Sequence, residues 1–309
     1  MSAHPVKNVL RGLMGGMSLE DFNDQIRERR VAHFKSAMDP TLLESVFNMP
    51  RVEHLLRQDN LLTPYIDIFD GTDLRQFVDR QRKPGQTNFD VVADNLRRGA
   101  TIRIRDVEKF DLELNELTKD IERHFVGRCN GNIYLTPPGK VGFPPHFDLT
   151  DVFVVQCNGK KHWQIHDQYK NMSELPLADV NWDAERFGPT SPPRDFELSR
   201  GDVLYLPRGV MHSAFCTDRE SMHLTISLAS VTFADLLRKA IASAAGADIE
   251  LRRRVPWLNA ADDEEVERLA RQAKDRLTQL AANSDLSALL QQERSAFQQA
   301  PDVSTGKRG

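Results

Sequence analysis

The 309-residue chain predicts a mainly β core with α additions, namely a small antiparallel jelly roll with helices before and after it. Three observations predict it. Strand-like runs crowd together between residues 132 and 228, at the spacing of short antiparallel strands that close into a barrel. On either side of that block, apolar residues recur at threes and fours, the period of helices packed against a core. At Asn158-Gly159 two strand-like runs meet across a dipeptide whose positive φ angles suit a tight hairpin.

In chain order, residues 1–99 read as mostly helical. Ser18 suits a helix cap, with Asp21 reaching back, and Leu19, Phe22, Ile26 and Val31 share the inward side. Residues 40–57 carry Leu42, Leu43, Val46, Phe47, Val52, Leu55 and Leu56 at helical spacing. Pro50 must begin or interrupt a helix there, which predicts two short ones. From Thr101 to Arg105 the residues alternate like a half-buried strand, and residues 111–125 return to helical spacing through Leu112, Leu114, Leu117, Ile121 and Phe125.

The barrel core is assigned to residues 100–230, with strands expected at 133–136, 152–157, 160–166, 196–198, 203–206, 212–216 and 223–228. Residues 181–194, which include Pro189, Pro192 and Pro193, have no core pattern and are expected to form a loop over the barrel mouth, as a lid or as plain surface. In residues 231–297, Thr232 with Asp235 makes another cap, and Phe233, Leu236, Leu237, Ala240, Ile241 and Ala244 form an apolar stripe. Farther on, Val266, Leu269, Ala273, Leu277 and Leu280 keep the helical period in a charged background. Such helices need a partner surface, either the barrel or a second copy, and the second option predicts a homodimer. Residues 298–309 are expected to be a disordered tail.

Composition narrows the classes of function. A hydrophobic content of 40% supports a substantial core. No apolar run approaches the ~20 residues that cross a bilayer, and the first residues lack a secretory pattern, which predicts a cytoplasmic protein. Cys129, Cys157 and Cys216 are scattered and odd in number, so neither a disulfide framework nor a cysteine-based zinc site is indicated. A net charge of −4 argues against broad attraction to nucleic acid, although Arg252-Arg253-Arg254 is a local basic cluster.

The chemistry centres on His146-Phe147-Asp148. Residues i and i+2 of an extended segment point to one side, so His146 and Asp148 can grip one ion. A histidine from elsewhere would complete the two-imidazole, one-carboxylate set of a facial-triad Fe(II) centre, which leaves three metal positions open. His212, after the turn-strand-turn run that begins at Gly201, is the first candidate. His223, within the last expected strand, is the second. His162 and His166 are assigned to packing or local hydrogen bonding. The bland alternative is chance: 9 histidines and 45 acidic residues will sometimes produce such a tripeptide as surface charge.

Four strings carry a resemblance. They are Asn132-Ile133-Tyr134-Leu135-Thr136-Pro137-Pro138-Gly139, Gly142-Phe143-Pro144-Pro145-His146-Phe147-Asp148, Asn158-Gly159-Lys160-Lys161-His162-Trp163, and the run from Gly201 to His212. Together they resemble the JmjC-domain Fe(II)- and 2-oxoglutarate-dependent oxygenases, nearest to the ribosomal oxygenase branch, over about residues 25–257. The resemblance implies a double-stranded β-helix of the cupin and JmjC type and a C-terminal helical dimerisation region. It also implies Fe(II) held by His146, Asp148 and His212, with Lys161 pairing the distal carboxylate of 2-oxoglutarate and Asn132 and Ser227 completing that pocket. Lys161 also makes sense from its own sequence position. Strand alternation sends Lys160 and Lys161 to opposite faces, and the inward one needs an anion.

The activity implied is hydroxylation of an unactivated C–H bond, first on an amino-acid side chain of a ribosomal protein. A small natural-product or peptide precursor is the alternative substrate, and a non-catalytic metal-binding cupin is the alternative class. N-methyl-lysine demethylation would use the same oxidant, but nothing in the chain resembles a chromatin-reading module. Tyr134, Phe143, Phe147, Trp163 and Tyr205 are candidates for shaping the cavity. The branch also carries a winged-helix domain after its dimerisation helices, and this chain is expected to lack it.

Overall fold

A computed structural model describes residues 5–45, 48–58, 60–71, 74–76, 83, 85–168, 191–217, 219–255, 263–283 and 285–298. The chain divides into two compact units, Met1–Ser230 and Val231–Gly309.

The first unit opens with α1 (Pro5–Leu13), α2 (Leu19–Gln25), β1 (Ala32–Phe34), α3 (Pro40–Ser45) and α4 (Met49–Gln58). It continues with β2 (Ile66–Phe69), β3 (Leu74–Gln76), α5 (Asn88–Arg97), β4 (Thr101–Ile104) and α6 (Leu112–Phe125). The strands then follow closely: β5 (Gly127–Thr136), β6 (Asp151–Asn158), β7 (Lys160–Gln168), β8 (Arg194–Ser199), β9 (Val203–Leu206), β10 (Val210–Phe215) and β11 (Ser221–Ser230). They form two antiparallel sheets, ordered β1-β9-β6-β11-β5-β4-β2-β3 and β10-β7-β8.

The unbroken apolar run of β6 has a simple cause. Val152 and Val154 point between the two sheets, where they meet Trp163, Ile165, Leu198, Leu204 and Leu206. Phe153 and Val155 point the other way, into a larger core built with the helices. A strand covered on both faces needs no alternation. Phe22 docks α2 on that second face, with ring centroids 5.1 Å from Tyr205 and 5.7 Å from Phe153. Burying one such side chain contributes on the order of 2 kcal/mol.

The caps follow the residue types. Ser18 accepts a hydrogen bond from the Asp21 amide at 3.0 Å and donates to its carboxylate at 2.6 Å. Asn48 accepts from the Arg51 amide at 2.8 Å, and Pro50 sits in the first turn of α4, where a missing N–H costs nothing.

Three expectations are made finer. Beside its helices, the stretch 1–99 contributes β1, β2 and β3 to the large sheet. Ile66-Asp67-Ile68-Phe69 gives no alternation since all four side chains are buried, Asp67 under the guanidinium groups of Arg103 and Arg105 at 2.8 and 2.9 Å. At the hairpin, only Gly159 takes a left-handed φ, of 64°, while Asn158 stays in β6. The expected strand 133–136 begins at Gly127. The two glycines within it hide the signal, and at Gly127 a Cβ would stand 2.7 Å from the Ala229 carbonyl.

The second unit holds α7 (Phe233–Ala247), α8 (Asp263–Asn283) and α9 (Leu286–Gln298). Thr232 and Asp235 form a reciprocal capping box at 3.1 and 3.0 Å. The stripe on α7 splits: Leu236 and Ala240 are buried, while Phe233, Leu237 and Ile241 are exposed. Among the described residues no helix is long and apolar enough to cross a membrane. The expected loop at 181–194 lies outside the described residues up to position 190, and the expected tail does so from 299 onward.

Candidate metal centre

His146 and Asp148 lie between β5 and β6, outside any long strand. An isolated antiparallel bridge holds them beside β10. The His146 amide donates to the His212 carbonyl at 3.0 Å, and the His212 amide returns the bond at 2.7 Å. Two residues on, the Gly209 amide donates to the Asp148 carbonyl at 2.8 Å. These bonds bring one ligand-type atom each of His146, Asp148 and His212 within 4.8 Å of one another. The Nε2 of His212 is 3.7 Å from the Asp148 carboxylate.

Both imidazoles are oriented by the chain itself. Nδ1 of His146 lies 2.8 Å from the Pro144 carbonyl and Nδ1 of His212 lies 2.9 Å from that of Val210. A carbonyl oxygen only accepts, so each Nδ1 carries a proton, and Nε2 is the ring nitrogen that faces the centre as the ligand atom of a neutral imidazole. Burial, with the neighbouring His146 adding to it, pushes the His212 imidazole down to about 4, and Asp148 offsets this only in part. His212 is therefore held in the neutral form that ligates metals. Two imidazoles and a carboxylate on one side of a cavity fit a divalent cation with open positions.

Tyr134, Phe143, Lys161, Trp163, His223 and Thr225 line the same cavity as the triad. Lys161 is 1% exposed. Its Nζ donates to the Thr136 hydroxyl at 2.9 Å and lies 3.4 Å from Nδ1 of His223, and it forms no ion pair among the described residues. Burial alone pushes this ammonium down to about 8. Lys160 points outward and pairs with Glu197 at 2.7 Å. A buried cation with only neutral partners is short of an anion.

The remaining sequence candidates divide. His223 is not part of the triad cluster: it stacks flat on Tyr134, with centroids 4.7 Å apart, beside Lys161. Asn132 and Ser227 are not among the residues that line the cavity. They share strand faces with Tyr134 and Thr225 but sit one side-chain step farther along, ~7 Å away. The Asn132 side chain instead accepts from the Asp106 amide at 3.1 Å. Tyr205 faces Phe22 on the opposite side of the sheet, and Phe147 is also absent from the lining. His162 stacks on Phe215 and His166 bonds the Ser191 carbonyl at 2.6 Å, as local packing predicts. Thr136, Thr225 and the supporting role of His223 were not foreseen, because only cross-strand pairing brings them to Lys161 and the triad.

A family model described as the JmjC domain matches residues 107–236. The chain is 31% identical over 240 residues to the bifunctional lysine-specific demethylase and histidyl-hydroxylase NO66 of Dictyostelium discoideum, covering 75% of this chain and 45% of that protein. It is 30% identical over 224 residues to ribosomal oxygenase 1 of Danio rerio, covering 69% and 40%. The chain thus spans less than half the length of these curated relatives. Among solved structures, the ribosomal oxygenase YcfD of Escherichia coli, in complex with cobalt and 2-oxoglutarate, superposes with a TM-score of 0.51 at 18% identity, over 91% of this chain and 70% of that one. At that identity the likeness is one of fold.

Proposed function

This chain carries a JmjC domain on a cupin-like double-stranded β-helix, and from that premise we propose that it is an Fe(II)- and 2-oxoglutarate-dependent oxygenase. The observation that carries the reading is the pairing of two features in one cavity: the His146-Asp148-His212 cluster, and the buried Lys161 ammonium, which has no acidic partner among the described residues. A non-catalytic metal-binding barrel has no need of the second.

In this reading His146 and His212 hold Fe(II) through Nε2, and Asp148 supplies the carboxylate. Lys161 receives the distal carboxylate of 2-oxoglutarate, with the Thr136 hydroxyl and His223 fixing its ammonium. When bound, the metal and co-substrate supply dioxygen activation, releasing succinate and carbon dioxide as a C–H bond is hydroxylated. Val152, Val154 and Trp163 wall the cavity with apolar surface and keep water from the reacting centre.

The substrate we propose is an amino-acid side chain of a ribosomal protein, in line with the names of the relatives. The apolar side chains left exposed on α7 support self-association as a homodimer, and the cytoplasm is the proposed compartment.

The test is direct. Protein purified anaerobically and supplied with Fe(II) and 2-oxoglutarate forms succinate slowly without substrate, and His146→Ala or His212→Ala abolishes it. Equal yields from wild type and both variants sink the reading. Mass spectrometry for +16 Da peptides in host ribosomes, with and without the gene, then identifies the target.

A further inference from the structure

The segment that begins with Asp148 is held at both of its ends by neighbouring amides of one turn. The Gly209 amide donates to the Asp148 carbonyl at 2.8 Å, and the Arg208 amide donates to the Asp151 carboxylate at 3.1 Å. The same turn also reaches His212, whose Nδ1 lies 2.9 Å from the Val210 carbonyl. Two of the three residues of the triad are therefore set on residues 207–210. Gly209 takes a left-handed φ of 78° there, and the Val210 amide closes the turn on the Pro207 carbonyl at 3.2 Å.

Asp151 itself stays clear of the triad. Along β6, Val152 and Val154 line the cavity, so Asp151 points with Phe153 and Val155 toward the helical side of the sheet. It is 3% exposed, and a buried carboxylate is costly unless it is well partnered. Its partners are the Arg208 amide, the Tyr205 hydroxyl, and the Arg27 guanidinium, whose Nε lies 3.7 Å away. Hydroxyl and guanidinium tie the carboxylate to the helical core, while the amide ties it to the turn. An apolar residue here would leave the Arg208 amide without this acceptor.

We propose that Asp151 is a positioning residue for the metal centre: through the Arg208 amide it fixes the turn at 207–210, and through that turn it aims Asp148 and the ring of His212. The inference rests on the metal-binding part of the reading above and adds a residue that touches neither metal nor co-substrate. A purely structural role is separable from it. The ion pair with Arg27 and the bond to the Arg208 amide can be removed one at a time.

The experiment uses the full chain with Co(II) as the metal probe. Calorimetry gives the affinity, the visible d–d bands report coordination geometry, and the thermal midpoint is measured without metal. Asp151→Ala should weaken Co(II) binding by about tenfold or more, as loss of a group that orients metal ligands does, and should shift the bands. Asp151→Asn keeps an oxygen for the Arg208 amide, so it should recover most of that affinity while its midpoint falls with the lost ion pair. Arg27→Gln should lower the midpoint and leave affinity and bands as in wild type. Wild-type affinity in Asp151→Ala overturns the proposal. So does Asp151→Asn binding as weakly as Asp151→Ala, or Arg27→Gln losing affinity to the same extent.

A measurement on wild type decides the matter even if Asp151→Ala does not fold. In the metal-free protein the Arg208 amide should exchange slowly with deuterium, followed by NMR, because Asp151 already holds it, and fast exchange overturns the assignment. If wild type binds no Co(II), the metal-binding reading itself fails. If wild type binds and the Asp151 variants bind equally, only the role of Asp151 fails.

Discussion

Gly142 lies against the end of Lys161 so closely that a Cβ there would stand 3.3 Å from Nζ and 3.1 Å from the Ala214 carbonyl. The missing side chain is what leaves room for the lysine end inside the cavity. Gly142→Ala is expected to push the ammonium off the Thr136 hydroxyl, because overpacking of this kind costs roughly 1–3 kcal/mol. Calorimetry should show 2-oxoglutarate affinity reduced by about tenfold or more, with Fe(II) affinity intact. Unchanged co-substrate affinity would mean that the lysine end yields freely.

The same ammonium sets a pH dependence. Burial lowers Lys161 from 10.5 to about 8, so its charged form is penalised in the folded protein. Below that value the penalty is fully present, and it is relieved as pH rises from about 8 toward 10.5, worth on the order of 3 kcal/mol across the window. Carboxylate binding needs the charged form. The affinity for 2-oxoglutarate should therefore be flat below about 8 and fall by up to about tenfold per pH unit above it. Titrations at several pH values check this, and the slope should vanish in Lys161→Met.

Gly159 closes the hairpin that carries Lys161. At its φ of +64° a Cβ would lie 2.0 Å from the Glu220 carbonyl, a distance that no side-chain adjustment relieves. Gly159→Ala is expected to lower stability by about 1–3 kcal/mol, as strain at a left-handed position does. Chemical denaturation gives the number. Co-substrate affinity should fall with it, because Lys161 follows the turn by two residues at the start of β7.

The exposed side chains of α7 test self-association. Phe233 is 84% exposed and Leu237 is 50% exposed, one turn apart on a helix whose other side is buried. Light scattering of the full chain should give twice the monomer mass, and the double variant Phe233→Glu with Leu237→Glu should halve it. A wild-type monomer removes the homodimer from the proposed function.

Much of this arrangement was legible from residue order. The apolar runs of β6 and β9, the Asn158-Gly159 turn and the capping pairs at Ser18 and Thr232 are local features. Each depends on residues a few positions apart, which sequence displays directly. The spacing of His146 and Asp148 is of the same kind, since two residues of extended chain always share a side. Lys161 was legible through alternation, which forces one of two adjacent lysines inward.

Other features belong to the tertiary structure alone. Whether His212 or His223 completes the triad depends on which strand pairs with residue 146, and a backbone bridge to His212 decides it. The neighbours of Lys161 arise in the same way: Thr136 comes from β5 and His223 from β11, far apart in the chain and joined only by strand register. Asn132 and Ser227 share strand faces with Tyr134 and Thr225, yet one step along a strand separates residues that line the cavity from residues that do not. Sequence therefore determined which residue types face inward. The meeting of strands from distant parts of the chain decided which of them touch, because hydrogen-bonded pairing fixes distances that no local pattern contains.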